Sequence, residues 1–136
     1  MSKIGGVEKV RDNDKAMTFL SDYRNLLECI PGVRRIESGR FLVEASIGPM
    51  RVELSGEVKE HKVTERQVTN LMEVLGPGLT LVIKTIVEVG DNELKWSADY
   101  DVSGALAKVL QNTIGREAER VSRQIISCTV SKINAK

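Results

Sequence analysis

The chain has a single histidine, and that scarcity removes more chemistry than any other feature of its 136 residues. Metal sites and relays built from two or three imidazoles cannot be assembled within such a chain. His61 itself lies in Glu57-Val58-Lys59-Glu60-His61-Lys62, a charged stretch that reads as a solvated strand end. Aromatic residues are only 4% of the chain, too few for the stacking platforms of nucleic-acid binders. Neither sign of charge is in excess. Twenty Lys and Arg against 19 Asp and Glu leave +1, so no global field draws nucleic acid or an anionic membrane. No apolar run approaches the ~20 residues of a membrane span, and Met1 to Lys15 lacks the apolar core of a signal peptide. The expectation is a cytoplasmic protein. Cysteine is limited to Cys29 and Cys128. A disulfide is possible by count, but the expectation for an intracellular chain is a reduced pair.

What is present is an asymmetry between strand and helix patterns. From Val102 onward, Leu106, Leu110, Ile114, Ala118, Val121, Ile125 and Cys128 recur at spacings of three and four. They lay one apolar stripe along a helix of roughly 25 residues, about 37 Å long. Ser103 is its expected N-cap, and the tail after Val130 is expected to fray. Upstream the period is two. Met50, Val52, Leu54, Gly56 and Val58 share one face of a strand, with Arg51, Glu53, Ser55, Glu57 and Lys59 on the other. Leu94, Trp96, Ala98, Tyr100 and Val102 alternate in the same way. Turns are expected at Ser38-Gly39, Gly48-Pro49, Gly76-Pro77-Gly78 and Gly90-Asp91-Asn92. A first strand over Lys3–Val10 is weakened by Gly5-Gly6. Asp12 to Asp14 and Ser21-Asp22 offer caps for two short helices, Lys15–Leu20 and Tyr23–Cys29.

The predicted architecture is α+β, one domain over residues 1–136. A curved antiparallel sheet of about seven strands wraps a long C-terminal helix, with two short helices after the first strand. This order is that of the helix-grip proteins, which include START lipid-transfer domains and polyketide cyclases. A narrower resemblance lies in local sequence. Leu26-Leu27-Glu28-Cys29-Ile30-Pro31-Gly32-Val33 resembles the leucine-led Cys-Ile-Pro-Gly signature of the carbon monoxide dehydrogenase CoxG family. Ile47-Gly48-Pro49-Met50 resembles its Gly-Pro hairpin. Leu94 to Asp99 and Val102 to Ala107 resemble its last strand and the start of its terminal helix. The chain departs from many members in two ways. Leu71 to Leu75 and Leu79 to Ile83 replace Gly/Ala-rich middle strands and should shrink the cavity. A C-terminal extension linked to membrane attachment in some members does not follow Lys136, so membrane docking is expected to use the folded domain.

A sheet that grips a helix often encloses a cavity. The inward set expected to line it is Phe41, Val43, Val52, Leu54, Asn70, Met72, Leu81, Ile83, Thr85, Trp96, Ala98, Tyr100, Leu106, Leu110 and Ile114, with Pro31 and Gly32 at the rim. A packed core explains the same pattern equally well. Asn70, Thr85 and Tyr100 tilt the balance, because buried polar groups need partners, in a ligand or in one another. Pro31 and Gly32 also have a purely structural use, ending a helix and aiming the next strand. No nucleophile-elbow, phosphate-loop or metal-ligand spacing occurs, and neither catalytic residues nor a cofactor are expected. Tyr100 or Asp99 remain the candidate proton donors for a cyclase- or hydrolase-like enzyme. Arg116, Arg120 and Arg123, interleaved with Glu117 and Glu119, read as a solvated helix face.

The residues favour a carrier of a hydrophobic small molecule. The resemblance implies a quinone- or lipid-like ligand and an accessory role beside a molybdenum-containing carbon monoxide dehydrogenase. It also implies dehydrogenase subunits as partners and transient contact with the inner membrane face, where an exposed residue among Met17, Phe19, Leu20, Tyr23, Leu26 and Leu27 would dip in. The alternatives are an assembly factor acting through surface contacts on a filled core, and the enzyme.

Overall fold

A computed structural model of the protein describes residues 2–135. Strand β1 (Ser2–Lys9) leads through helices α1 (Asn13–Ser21) and α2 (Tyr23–Leu27) into six strands. These are β2 (Val33–Glu37), β3 (Arg40–Ile47), β4 (Met50–Val63), β5 (Gln67–Gly76), β6 (Leu79–Gly90) and β7 (Glu93–Ser103). Helices α3 (Ala105–Val109) and α4 (Gln111–Asn134) close the chain. The strands form one antiparallel sheet in the order β1-β7-β6-β5-β4-β3-β2, so every neighbour except the β1–β7 pair is a hairpin. This is the helix-grip arrangement, with α4 lying on the sheet.

Local chemistry accounts for the elements. Asp12 caps α1, its carboxylate accepting from the backbone N–H groups of Asp14 and Lys15, and Asp22 caps α2 in the same way through Arg24. Gly32 adopts φ +79° and brings its carbonyl to the backbone N–H of Glu44 at 3.0 Å. A Cβ there would run into the Glu44 carbonyl oxygen, so the Pro-Gly turn seals β2 onto β3 only with glycine. Gly56, opposite Phe41 across β3 and β4, leaves the space that the Phe41 ring fills.

Several expectations are corrected here. The long helix is broken: α3 ends at Val109, Leu110 is the junction, and α4 begins at Gln111. Docking on the β5–β6 turn is the cause, since the Leu106 N–H donates to the Gly78 carbonyl at 2.9 Å and α4 must then change direction to cross the sheet. Ser103 belongs to β7, and Gly104, at φ +110°, occupies the N-cap of α3. The tail is held rather than frayed. Ile133 is 3% exposed, and Asn134 Oδ1 accepts from the Arg11 N–H at 2.9 Å. Cys29 and Cys128 are joined in a disulfide, not reduced; folding brings their Cα atoms to 5.7 Å across 99 residues.

The core is divided. One buried cluster gathers Ala16, Leu20, Val68, Val87, Leu94, Trp96 and Ile133 at the C-terminal end of α4. The other gathers Leu27, Phe41, Val43, Leu54, Val74, Leu79 and Ile114 at its N-terminal end. The middle of α4 spans the gap between them.

Candidate functional site

That gap is a cavity of about 340 Å³ between the sheet and α4, at the small end of the ~300–1,000 Å³ usual for ligand sites. The sheet contributes alternate residues: Phe41 and Val43 from β3, Leu54 from β4, Asn70 and Met72 from β5, Leu81, Ile83 and Thr85 from β6, and Trp96, Ala98 and Tyr100 from β7. Ile114 lines it from α4, and Pro31 and Gly32 are among its lining residues. Val52, Leu106 and Leu110 lie outside the lining. Val52 and Leu110 pack against the N-terminal core cluster, and Leu106 sits over Gly78 because α3 is a separate helix.

Residues not anticipated as lining complete the wall. Val68, Val74, Leu79 and Val87 extend the alternations already visible on β5 and β6. Ala118, Val121 and Ile125 come from the apolar stripe of the last helix, so their signal was present in the spacing. Leu20, Leu26 and Ile30 carry no such signal, because their place depends on how the short helices dock. The charged lining residues are Glu44, Glu117 and Arg120, but the Glu44 carboxylate turns to the outer sheet face, 3.7 Å from Arg34, which leaves Glu117 and Arg120 of α4 as the charged side chains of the wall. The Arg120 guanidinium donates to Glu117 Oε2 at 2.8 Å, so these two charges are paired on α4. The turn Ile30-Pro31-Gly32 lines the same cavity, and the disulfide ties the residue just before that turn to α4.

The polar groups on the inner wall form an unexpected network. His61 is half-buried and faces inward, contrary to the solvated position read from its charged neighbours. The reason is a β-bulge between Val58 and Glu60, where Lys59 is the extra residue. The bulge shifts the alternation, so Val58 and His61 both face the core and His61 pairs with Asn70 across β4 and β5. His61 Nε2 lies 3.0 Å from the Leu20 carbonyl oxygen, and Nδ1 lies 3.0 Å from Asn70 Nδ2. Asn70 is 4% exposed, and its Oδ1 has no partner. Thr129 Oγ1, on α4, is likewise buried without a partner and lines the same cavity. An unsatisfied buried acceptor costs about 1–3 kcal/mol, a cost that an apolar residue would avoid.

Other candidate groups are less committed. The Tyr100 ring reaches the cavity from β7, with Gly115 of α4 close to its hydroxyl. It also lines a second cleft of about 310 Å³ with Asp101, Ser103, Lys108 and Gln111. Asp99, paired with Lys84 across β6 and β7, is not in the wall. On the outer sheet face Glu57 accepts from Lys59 Nζ at 2.7 Å and from Arg40 Nε at 2.9 Å. These bonds, the lysine's first, hold its carboxyl below the usual range. Among the described residues no group of three or more His, Cys, Asp or Glu is placed to hold a metal ion. No described helix is long and apolar enough to cross a membrane.

Solved structures share this fold at low identity. A conserved protein from Geobacillus kaustophilus matches at 16% identity and TM-score 0.67, over 97% of this chain and 95% of that one. A hypothetical protein from Helicobacter pylori matches at 15% and 0.69, over 96% and 85%. An aromatase/cyclase from a Streptomyces species matches at 9% and 0.63, over 97% and 93%. A comparison with curated proteins finds no match. The family model for the carbon monoxide dehydrogenase protein CoxG matches residues 5–134, and the chain belongs to that family.

Proposed function

We propose that the protein binds a hydrophobic small molecule between its sheet and α4 and carries it as an accessory to a carbon monoxide dehydrogenase-type molybdenum enzyme. The observation that carries this reading is the divided core. A filled core would run continuously under α4, whereas here Met72, Leu81, Ile83, Ala98, Val121 and Ile125 face open volume. Family membership supports the dehydrogenase as partner, and the mainly apolar wall with its few polar groups supports a quinone- or lipid-like molecule as cargo. The small volume suits a ring or headgroup, with a chain leaving between Ile30–Gly32 and Glu117–Arg120.

Membrane contact in this reading moves away from the short helices. Leu20 and Leu27 are buried, and Met17, Phe19, Tyr23 and Leu26 are half-buried. Met50 at the β3–β4 turn, Leu75 before the β5–β6 turn and Val109 on α3 are exposed. These turns adjoin the last helices, Gly78 against Leu106 and Gly48 facing Thr113, so the three residues share one end of the molecule. A location at the inner membrane face suits the carrier, although the disulfide argues against a steadily reducing compartment. Alkylation of thiols in freshly lysed cells reads the pairing state there.

Native mass spectrometry after gentle purification, followed by titration with ubiquinone and menaquinone analogues and with fatty acids, tests the carrier. A retained apolar adduct, or saturable binding of one of these classes, is expected. A protein that emerges empty and binds none of them is not a carrier, and the assembly-factor reading then takes its place.

A further inference from the structure

The network behind the cavity wall has a polarity, and it sets what the cavity accepts. A backbone carbonyl only accepts hydrogen bonds, so the 3.0 Å contact between His61 Nε2 and the Leu20 carbonyl places the imidazole proton on Nε2. Nδ1 of the neutral ring is then a lone pair. The group facing it at 3.0 Å must donate, and this fixes the Asn70 amide with its NH₂ toward His61. Oδ1 is left as an acceptor, buried and unpartnered, on a residue of the cavity wall. Leu20 thus orients His61, His61 orients Asn70, and Asn70 holds a buried acceptor beside a mainly apolar lining whose other inner polar groups include the hydroxyls of Thr85, Tyr100 and Thr129. Tyr23, whose ring meets His61 edge-on at 5.6 Å, confines the imidazole from α2.

We infer that Asn70 Oδ1 is the polar anchor of the cavity and selects molecules that bring a hydroxyl or N–H donor over analogues that offer only acceptor oxygens. His61 is the positioning residue for that selection. For a quinone-type cargo this means the reduced, dihydroxy form, because the oxidised form has carbonyl acceptors alone and would leave Oδ1 unpaired. Thr129 Oγ1 is the other buried wall atom without a partner among the described residues, and its hydroxyl, like those of Thr85 and Tyr100, serves either kind of group and does not discriminate. Oδ1 is closed off from solvent, so a donor reaches it only when the side chains around it shift. The inference rests on the carrier reading.

The test uses the full chain and a matched pair of probes, naphthol and its methyl ether, which differ in the donor and not in redox chemistry. Calorimetry or quenching of probe fluorescence gives both affinities. Naphthol is expected to bind about tenfold more tightly, the worth of one satisfied buried hydrogen bond. Asn70→Leu should bring the ratio close to one by weakening naphthol while sparing the ether. His61→Phe, which leaves Asn70 in place but frees its amide to turn, should lower the ratio as well, and it keeps the inference testable where Asn70→Leu does not fold. Equal affinities in the wild-type protein, or a preference that survives both substitutions, overturn the selection and leave the carrier reading standing. Failure of both probes together with quinones and fatty acids removes both. Reduced decyl-ubiquinone, prepared without thiols and compared with its oxidised form, then shows the preference on a quinone.

Discussion

Cys29, just after α2, is bonded to Cys128 in α4, and the bond joins two segments that line the cavity across 99 residues of sequence. Ile30, Pro31 and Gly32 follow Cys29 directly and line the cavity, while Ile125, Ile126 and Thr129 flank Cys128 in the same wall. A covalent link therefore sets the distance between the rim turn and the helix.

Replacing both cysteines by serine should lower stability by about 2–4 kcal/mol, because the cross-link restricts a long loop in the unfolded chain. Thermal unfolding with and without a reductant gives the comparison. The wild-type protein should fall to the variant's midpoint on reduction, while the variant should not respond to the reductant. An unchanged wild-type midpoint under full reduction would mean that the bond carries no stability.

Filling the cavity should separate binding from folding. Ala118 projects from the middle of α4 into the open volume, so Ala118→Phe adds apolar bulk where packing is incomplete. Probe binding is expected to fall at least tenfold with little change in the unfolding midpoint. If binding is unaffected, the probes occupy some other place, the cleft beside Tyr100 being the next candidate.

Ile133→Ala should cost about 2–4 kcal/mol, as for a buried aliphatic side chain, although it stands close to the end of the sequence. It packs in the cluster with Val10, Ala16 and Leu20. Denaturant unfolding measures the loss. A value near zero would return the last turn to the frayed state expected from its polar composition.

The outer-face pair Glu57 and Lys59 gives a pH dependence of definite sign. Glu57 is held low, so its contribution is present above the ordinary carboxylate range and disappears as pH falls through its folded value. Lys59 is held high, mainly by the same hydrogen bond, so its contribution is present at neutral pH and disappears as pH rises beyond the usual lysine range. Both side chains are solvated, and the effect is small and screened by salt. Glu57→Gln should flatten the acid limb of a stability–pH curve at low salt. Identical acid limbs for the two proteins would show that the pair contributes nothing.

Patterns of period two and period three to four were enough to read the helix-grip order, because each strand has one dry face and the last helix one apolar stripe. They located much of the cavity wall for the same reason: residues such as Met72, Ile83 and Ala98 share the face that meets the helix. Where a single residue breaks the period, the pattern misleads. The bulge at Lys59 turns His61 inward, and no local composition announces it. The break at Leu110 moves Leu106 and Leu110 off the wall, since it arises from contact with Gly78, a partner distant in sequence.

The sequence by itself determined the order of elements, the faces they bury and the family, because alternation, turn residues and short motifs are local properties. Only the tertiary structure decided that Cys29 meets Cys128, that the core opens between two clusters, and that Asn70 presents its oxygen rather than its NH₂. Each of these depends on contacts between segments that no local pattern links. The direction of the Asn70 amide is the clearest case: it follows from the Leu20 carbonyl through His61, three residues on three elements that meet only in the folded protein.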